Sequence, residues 1–256
     1  MSIAHQERDY ERPSVAVDAA VFGIESIKSS NKRALDDKKL KLLLIKRGEE
    51  PFKGNYSLAG GFLRPNETVE EAAHRELKEE AGVENSRLLT LKTYSEPNRD
   101  PRGWIISCAY LSLVQTVTLA TDIESDAELA EWFDFEYSTS DDKETIKLTG
   151  QTQTITIDVN ESKAYSKELA FDHAQIIYDA YMLLKREVKD HDIIFDLLPE
   201  LFTISDIQIP YETIMGKKEI AANFRKKILR KIEETDQYEN TAAHRASKMY
   251  RRRKGE

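Results

Sequence analysis

A single cysteine, Cys108, is all the thiol chemistry that the 256 residues contain. That excludes an intramolecular disulfide and fits, as an expectation, a reducing cytoplasm. Cys108 lies in the strand-like run I-I-S-C-A-Y-L-S-L, so a buried structural thiol is expected there and not a nucleophile. No apolar stretch approaches the roughly 18 residues that argue for a membrane span. The N-terminus, M-S-I-A-H-Q-E-R-D-Y, is too polar for a signal peptide. The reading is a soluble protein with no membrane partner. Long Gly/Ser linkers and internal repeats are missing too, which excludes loosely tethered modules and repeat arrays.

What is present supports ordinary globular cores: 40% hydrophobic residues, with 2 Trp, 11 Tyr and 9 Phe. The length suits two domains, one of about 150 residues and one smaller. Charge is split unevenly. Residues 215–256 carry 13 Lys and Arg against 6 Asp and Glu, whereas the rest carries 25 against 40. An acidic body with a basic tail points to a polyanion as the tail's partner; a solvated helix with a loose end would give the same counts.

The most specific signal is the stretch 61–83, G-F-L-R-P-N-E-T-V-E-E-A-A-H-R-E-L-K-E-E-A-G-V. Gly61, Glu67, Arg75-Glu76-Leu77, Glu79-Glu80, Gly82 and Val83 fill every fixed position of G-x5-E-x7-R-E-U-x-E-E-x-G-U, where U is aliphatic; this resembles the Nudix box. The spacing predicts a helix over 69–81, opened by a Thr68/Glu71 capping box and stopped at Gly82. Glu76, Glu79 and Glu80 then share one face, while Val69, Ala72, Ala73 and Leu77 form an apolar stripe that packs on a sheet. Three like charges so close raise one another's proton affinity, and a bound Mg²⁺ or Mn²⁺ reverses that penalty. Gly60 and Gly61 make a loop that brings backbone carbonyls near such a metal.

The candidate metal ligands are therefore Gly60, Glu76, Glu79 and Glu80. Arg75 is expected to orient the glutamates, and Glu67 to support the loop or the outer metal shell. The chemistry open to such a site is hydrolysis of a nucleoside diphosphate linked to another group, with Glu79 or Glu80 taking the proton of the attacking water. Arg47, Arg99 and Arg102, with Gly61, are the candidate substrate contacts, because a guanidinium offers paired donors to phosphate.

Along the chain, Val15–Ile24, Leu40–Lys46, Ser86–Tyr94, Ile105–Val114 and Glu131–Phe135 read as strands, and Thr145–Val159 as a hairpin; Lys28–Lys39 reads as a polar loop. The order gives an α+β domain, an α/β/α sandwich about a mixed sheet. A long helix from His173 to about Val188, capped by Asp172, follows. Next come a helix ending at Met215-Gly216 and a second from Lys218 to about Ile232, with Ile220, Phe224 and Ile228 inward. Ser247–Arg253 is one strand of a wing. The expected organisation is 1–160, a bridging helix in 161–194, and a winged helix-turn-helix in 195–256. Asn223 and Arg225 are the candidate base readers; Lys226, Lys227, Arg230, Arg245, Lys248 and Arg251 are candidate DNA contacts. The same segment could instead be a structural extension that dimerises an enzyme.

Taken together, Pro13–Asp18, Leu43–Arg47, Pro51–Gly54, the box, R-D-P-R-G at 99–103, L-A-F-D-H at 169–173, F-T-I-S at 202–205, N-F-R-K-K-I at 223–228 and the run 244–250 resemble the NrtR family, Nudix-related transcriptional regulators of NAD metabolism. The resemblance covers nearly the whole chain. It implies a Nudix domain that binds ADP-ribose, joined to a winged helix that binds a double-stranded operator as a homodimer and releases it when ligand binds. Members often have a degraded box and act as sensors only. This box is complete, so Mg-dependent hydrolysis of ADP-ribose to AMP and ribose 5-phosphate stays open. Two departures stand out: Ala59 replaces the proline usual before the glycine pair, and Pro210 falls inside a winged-domain helix, where it is expected to kink the helix or delay its start.

Overall fold

The computed structural model describes residues 11–27, 37–84, 86–115, 117, 129–140, 143–190, 192–239 and 247–253. The strand β1 (Ser14–Ile27) is the centre of the fold. Its run Asp18–Gly23 is buried without alternation, as a strand covered on both faces must be. After it come β2 (Asp37–Lys46), β3 (Tyr56–Ser57), β4 (Ala59–Phe62), α1 (Val69–Ala81), β5 (Leu88–Tyr94), β6 (Ile105–Val114), β7 (Leu129–Ser140), β8 (Lys143–Thr149), β9 (Thr154–Asn160) and β10 (Lys163–Tyr165). They form one sheet in the order β10-β9-β8-β7-β2-β1-β6-β5, with β3 on β2 and β4 on β1. The β1–β6 pair is parallel and its neighbours are antiparallel, so the sheet is mixed as expected.

Helix α1 covers one face, where Leu77 and Ala81 meet Ala19, Val21, Leu43 and Ile45. Thr68 and Glu71 form the capping box, and Gly82 ends the helix at φ 63°. The opposite face is covered by α2 (His173–Asp190), whose Ile176, Ile177, Ala180 and Leu184 join Phe22, Leu42, Leu44 and Phe133. The result is the α/β/α sandwich.

A short 3-10 turn (Asp192–Leu197) leads to α3 (Ile204–Met215), α4 (Ala221–Ile228) and the hairpin of β11 (Ile232–Glu239) with β12 (Ser247–Arg252). This is a helix-turn-helix with a wing. Its core, including Phe202, Tyr211, Phe224, Ile228 and Tyr250, is continuous with that of the sandwich. Polar ties reinforce the join. The Tyr181 hydroxyl donates to the Ile214 carbonyl at 2.9 Å, Thr213 Oγ1 donates to the Lys38 carbonyl, and Lys38 pairs with Asp206 at 3.5 Å.

Several expectations need correction. Asp37–Lys39 are strand, not loop, because they pair with Glu25–Ile27 of β1. Cys108 is half-buried. The run at Glu131–Phe135 belongs to a strand that reaches Ser140, since β8 supplies a partner along its whole second half. Pro210 neither kinks α3 enough to break it nor delays its start: Thr203 and Asp206 form a capping box ahead of it, and the proline is buried within the helix. The second winged-domain helix is only Ala221–Ile228. Ile220, expected inside, is 71% exposed, and Ile232 opens β11 opposite Arg252. Strand pairing with the wing satisfies backbone groups that a longer helix would have had to satisfy internally, and it overrides local propensity. Arg245 and His244 lie outside the described residues.

Candidate functional site

The strand β4 lies antiparallel on β1, which sets Gly60 opposite Asp18 and Gly61 opposite Val17. Gly60 has no room for a side chain, whereas one at Gly61 would have to displace only the end of the Glu76 side chain. A Cβ on Gly60 would stand 2.2 Å from the Val17 carbonyl, and one on Gly61 would stand 2.3 Å from Glu76 Oε1. The glycine pair thus allows the helix carboxylates to close on the strand. Replacing Gly61 with alanine is expected to displace Glu76 and cost about 1–3 kcal/mol through overpacking. Thermal unfolding and AMP release, measured on the same variant, check this. An unchanged Tm together with full activity would show that the close approach is dispensable.

On α1, Arg75 gathers the acidic residues as expected. Its Nη2 and Nε donate to Glu67 at 2.8 and 3.0 Å, and its Nη1 donates to Glu76 at 2.6 Å and to Glu79 at 3.2 Å. The Arg75 guanidinium holds the Glu67 carboxyl far below its usual range, at about 2. Glu79 is exposed and is shared with Arg64 at 3.0 Å. Glu80 differs. It turns inward and accepts from the Gly60 N–H at 2.9 Å. Burial raises its pKa to about 8; the Gly60 N–H opposes this, and the negative charges of Glu76 and Asp18 add to it.

No three His, Cys, Asp or Glu side chains converge into a ready metal cluster among the described residues, and Glu79 is held by Arg64 and Arg75. The donor chemistry nevertheless fits a hard divalent cation. Glu76, Glu79, Glu80 and the Gly60 carbonyl offer only oxygen.

Beside the carboxylates opens a cleft lined by Asp18, Arg47, Gly61, Phe62, Arg102 and Phe171, among others. Its floor is a polar network. The Leu58 N–H donates to His173 Nδ1 at 2.9 Å, so the imidazole proton sits on Nε2, which lies 3.3 Å from Asp18 Oδ1. Ser107 donates to the other Asp18 oxygen. Burial alone would raise the Asp18 pKa, but His173, Ser107 and Arg99 outweigh it and keep the carboxyl below its usual range. Arg99, placed by sequence among the phosphate contacts, is in this floor. Its side chain is 4% exposed and paired with Asp172, with Asp18 3.7 Å away. The Asp172 carboxylate is thus turned onto Arg99.

The rim alternates rings and guanidinium groups. Arg47 and Arg102 lie 4.9 and 5.1 Å from the Phe171 ring centre, and Arg102 also lies 4.9 Å from Phe62. Asp100 holds Arg102 at 2.7 Å. Such flat cationic and aromatic surfaces suit a nucleobase and its phosphates. Phe62, Phe171, Asp18 and Asp100 escaped the reading of the sequence as site residues. Asp18 carried a signal, since it interrupts the apolar run V-A-V-D-A-A-V-F. Phe171 carried none beyond its place in the L-A-F-D-H run: it reaches the rim with a left-handed backbone, φ 53°.

The second surface is α4. Asn223, Arg225, Lys226 and Lys227 are exposed on it and Arg230 is exposed in the turn just beyond its end, whereas Phe224 and Ile228 face the core. Arg225 donates to the Tyr250 hydroxyl at 3.2 Å, and Lys227 lies 4.8 Å from the Tyr211 ring centre; neither contact removes charge. On the wing, by contrast, Lys248 pairs with Glu234 and Arg251 with Glu233. The charges of Lys248 and Arg251 are thus partly offset.

A family model described as NUDIX domain matches residues 34–148, and one described as NrtR DNA-binding winged helix domain matches residues 194–252. The chain is 28% identical over 251 residues to an ADPR responsive transcriptional repressor of Acinetobacter baylyi, covering 96% of this chain and 85% of that protein. It is 42% identical over 128 residues to an ADP-ribose pyrophosphatase of Methanocaldococcus jannaschii, covering 50% of this chain and 65% of the relative. The crystal structure of a MutT/nudix family protein from Enterococcus faecalis matches with a TM-score of 0.77 at 29% identity, covering 96% of this chain and 88% of that one.

Proposed function

We propose, on the premise that this chain belongs to the NrtR-like branch of the Nudix superfamily, that it is a transcriptional repressor whose hold on DNA is set by ADP-ribose, and that it also hydrolyses that ligand. One observation carries the coupling. Phe171 and His173 line the cleft, Asp172 between them holds Arg99 in its floor, and α2 begins at His173; the same helix is hydrogen-bonded through Tyr181 to the Ile214 carbonyl near the end of α3, two residues before the helix-turn-helix glycine. A ligand that moves Phe171 therefore acts on a helix that touches the DNA-binding element.

In the cleft, Arg47 and Arg102 bind the diphosphate and stack with Phe62 and Phe171 on the base. Glu76, Glu79, Glu80 and the Gly60 carbonyl are the residues that would hold a divalent cation, which supplies charge neutralisation at phosphorus and a more acidic water when bound. Arg75 keeps Glu76 and Glu79 aimed. Glu80, turned inward onto the Gly60 N–H, takes the water's proton.

The protein acts as a homodimer, one winged helix to each half-site. Selection of duplexes from the organism's own genomic fragments, followed by sedimentation of the complex, tests both points: two chains on one preferred sequence are expected. Equal binding to every fragment would leave a pyrophosphatase with a structural C-terminal domain. Tyr181→Phe is expected to keep ADP-ribose affinity and ligand-free DNA affinity while lowering the ligand's effect on DNA binding by about 2- to 10-fold, the worth of one hydrogen bond. Full coupling in this variant would remove α2 from the route.

A further inference from the structure

The most exposed large hydrophobic side chain among the described residues is Ile220, at 71%. It occupies the N-cap of α4, where its side chain makes no capping hydrogen bond. Helices prefer Ser, Thr, Asp or Asn at that position, and isoleucine is among the poorest choices. Neither packing nor capping explains it. Ala221 and Ala222 follow, both exposed, and then the exposed Asn223. The leading edge of α4 is thus a small apolar tip. The cations Arg225, Lys226, Lys227 and Arg230 sit behind it, and Lys217 and Lys218 precede it, the latter paired with Glu212 at 3.0 Å.

A tip of this kind fits one surface of a polyanion. In a helix-turn-helix the first residues of the second helix meet base edges in the major groove, while cations farther along grip phosphates. The apolar feature of that groove is the thymine C5-methyl group, and aliphatic side chains read it by contact. Two alanines after the isoleucine let the backbone come close to the groove floor. We propose that Ile220 is a specificity-determining residue that selects thymine over cytosine at one position of each half-site by packing on the thymine methyl. This deepens the DNA-binding reading and rests on it.

The test uses the full-length protein and a duplex of about 30 base pairs that it selects from a random-sequence library. Each thymine in the duplex is replaced singly by deoxyuridine, which lacks only the methyl group. For the wild-type protein, one thymine per half-site is expected to respond, with Kd rising about fourfold, the worth of one methyl removed from water. Ile220→Ser supplies a better cap, so the helix is retained; it should bind thymine and deoxyuridine duplexes equally. Ile220→Val keeps the branched methyl groups and should restore the discrimination. Wild-type affinity unchanged by every deoxyuridine replacement would overturn the assignment of Ile220 while leaving sequence-specific DNA binding intact. Discrimination that persists undiminished in Ile220→Ser would overturn it equally, giving the methyl contact to another residue. Failure to enrich any sequence would overturn the inference together with the DNA-binding reading.

Discussion

Glu80→Gln is expected to slow AMP release from ADP-ribose by about 10²- to 10⁴-fold, the range for loss of a general base, with ligand affinity measured without metal changed by less than about threefold. Glutamine is isosteric and still accepts from the Gly60 N–H, so the strand-to-helix contact survives. What disappears is the group that takes the proton. Glu79 is exposed and shared between Arg64 and Arg75, so Glu79→Gln is expected to cost less. Equal turnover in wild type and Glu80→Gln would move the base elsewhere.

The Glu80 proton has a second consequence. Its carboxyl moves from an ordinary 4.5 to about 8 on folding, so between these values the folded, metal-free protein holds a proton that the unfolded chain has lost. Stability from this group is complete below about 4.5 and declines as pH rises through about 8. A divalent cation must displace that proton, so its apparent affinity climbs with pH over the same window. Both trends should flatten in Glu80→Gln.

The other large effect lies on α4 and the turn that follows it. The triple change Lys226→Ala, Lys227→Ala, Arg230→Ala is expected to weaken DNA binding roughly 10²- to 10³-fold at about 0.1 M salt, and to reduce the slope of log K against log salt by about 2–3, one counterion per lost phosphate contact. Alanine favours helix, and Phe224 and Ile228 remain to anchor it. Lys227 stacks on Tyr211, so unfolding of the variant is followed in parallel. An unaltered salt slope in a folded variant would place the DNA on another face. The corresponding change at Lys248 and Arg251 should matter less, because Glu234 and Glu233 already offset those charges.

The sequence disclosed what is decided locally. The helix α1 begins and ends as read because its cap residues and stop glycine lie within the helix's own turns, and β6 matches the reading of Ile105–Val114 to the residue. What depended on distant partners was hidden. The acidic run I-E-E-T-D-Q-Y-E lacks a clean alternation, and it is a strand only because Ser247–Arg252 pairs with it. Ile220, Phe224 and Ile228 have helical spacing, which masked that the first of them lies just outside the helix and in solvent. Beside the cleft, the carboxylates of α1 were readable from one contiguous motif. Phe62 and Phe171, far apart in the chain, meet only through Arg102, and Arg99 looked like a ligand contact because its partner Asp172 is equally distant.

One measurement bears most directly on the coupling of cleft to operator. Operator affinity is titrated with and without a non-hydrolysable ADP-ribose analogue, and analogue affinity with and without operator, in the absence of metal. Linkage requires the two ratios to be equal, and the account predicts that each ligand weakens the other by about 5- to 150-fold, the usual span of allosteric coupling. Two ratios of one, with both ligands bound tightly, would mean that the cleft and the winged helix share a chain but not a function.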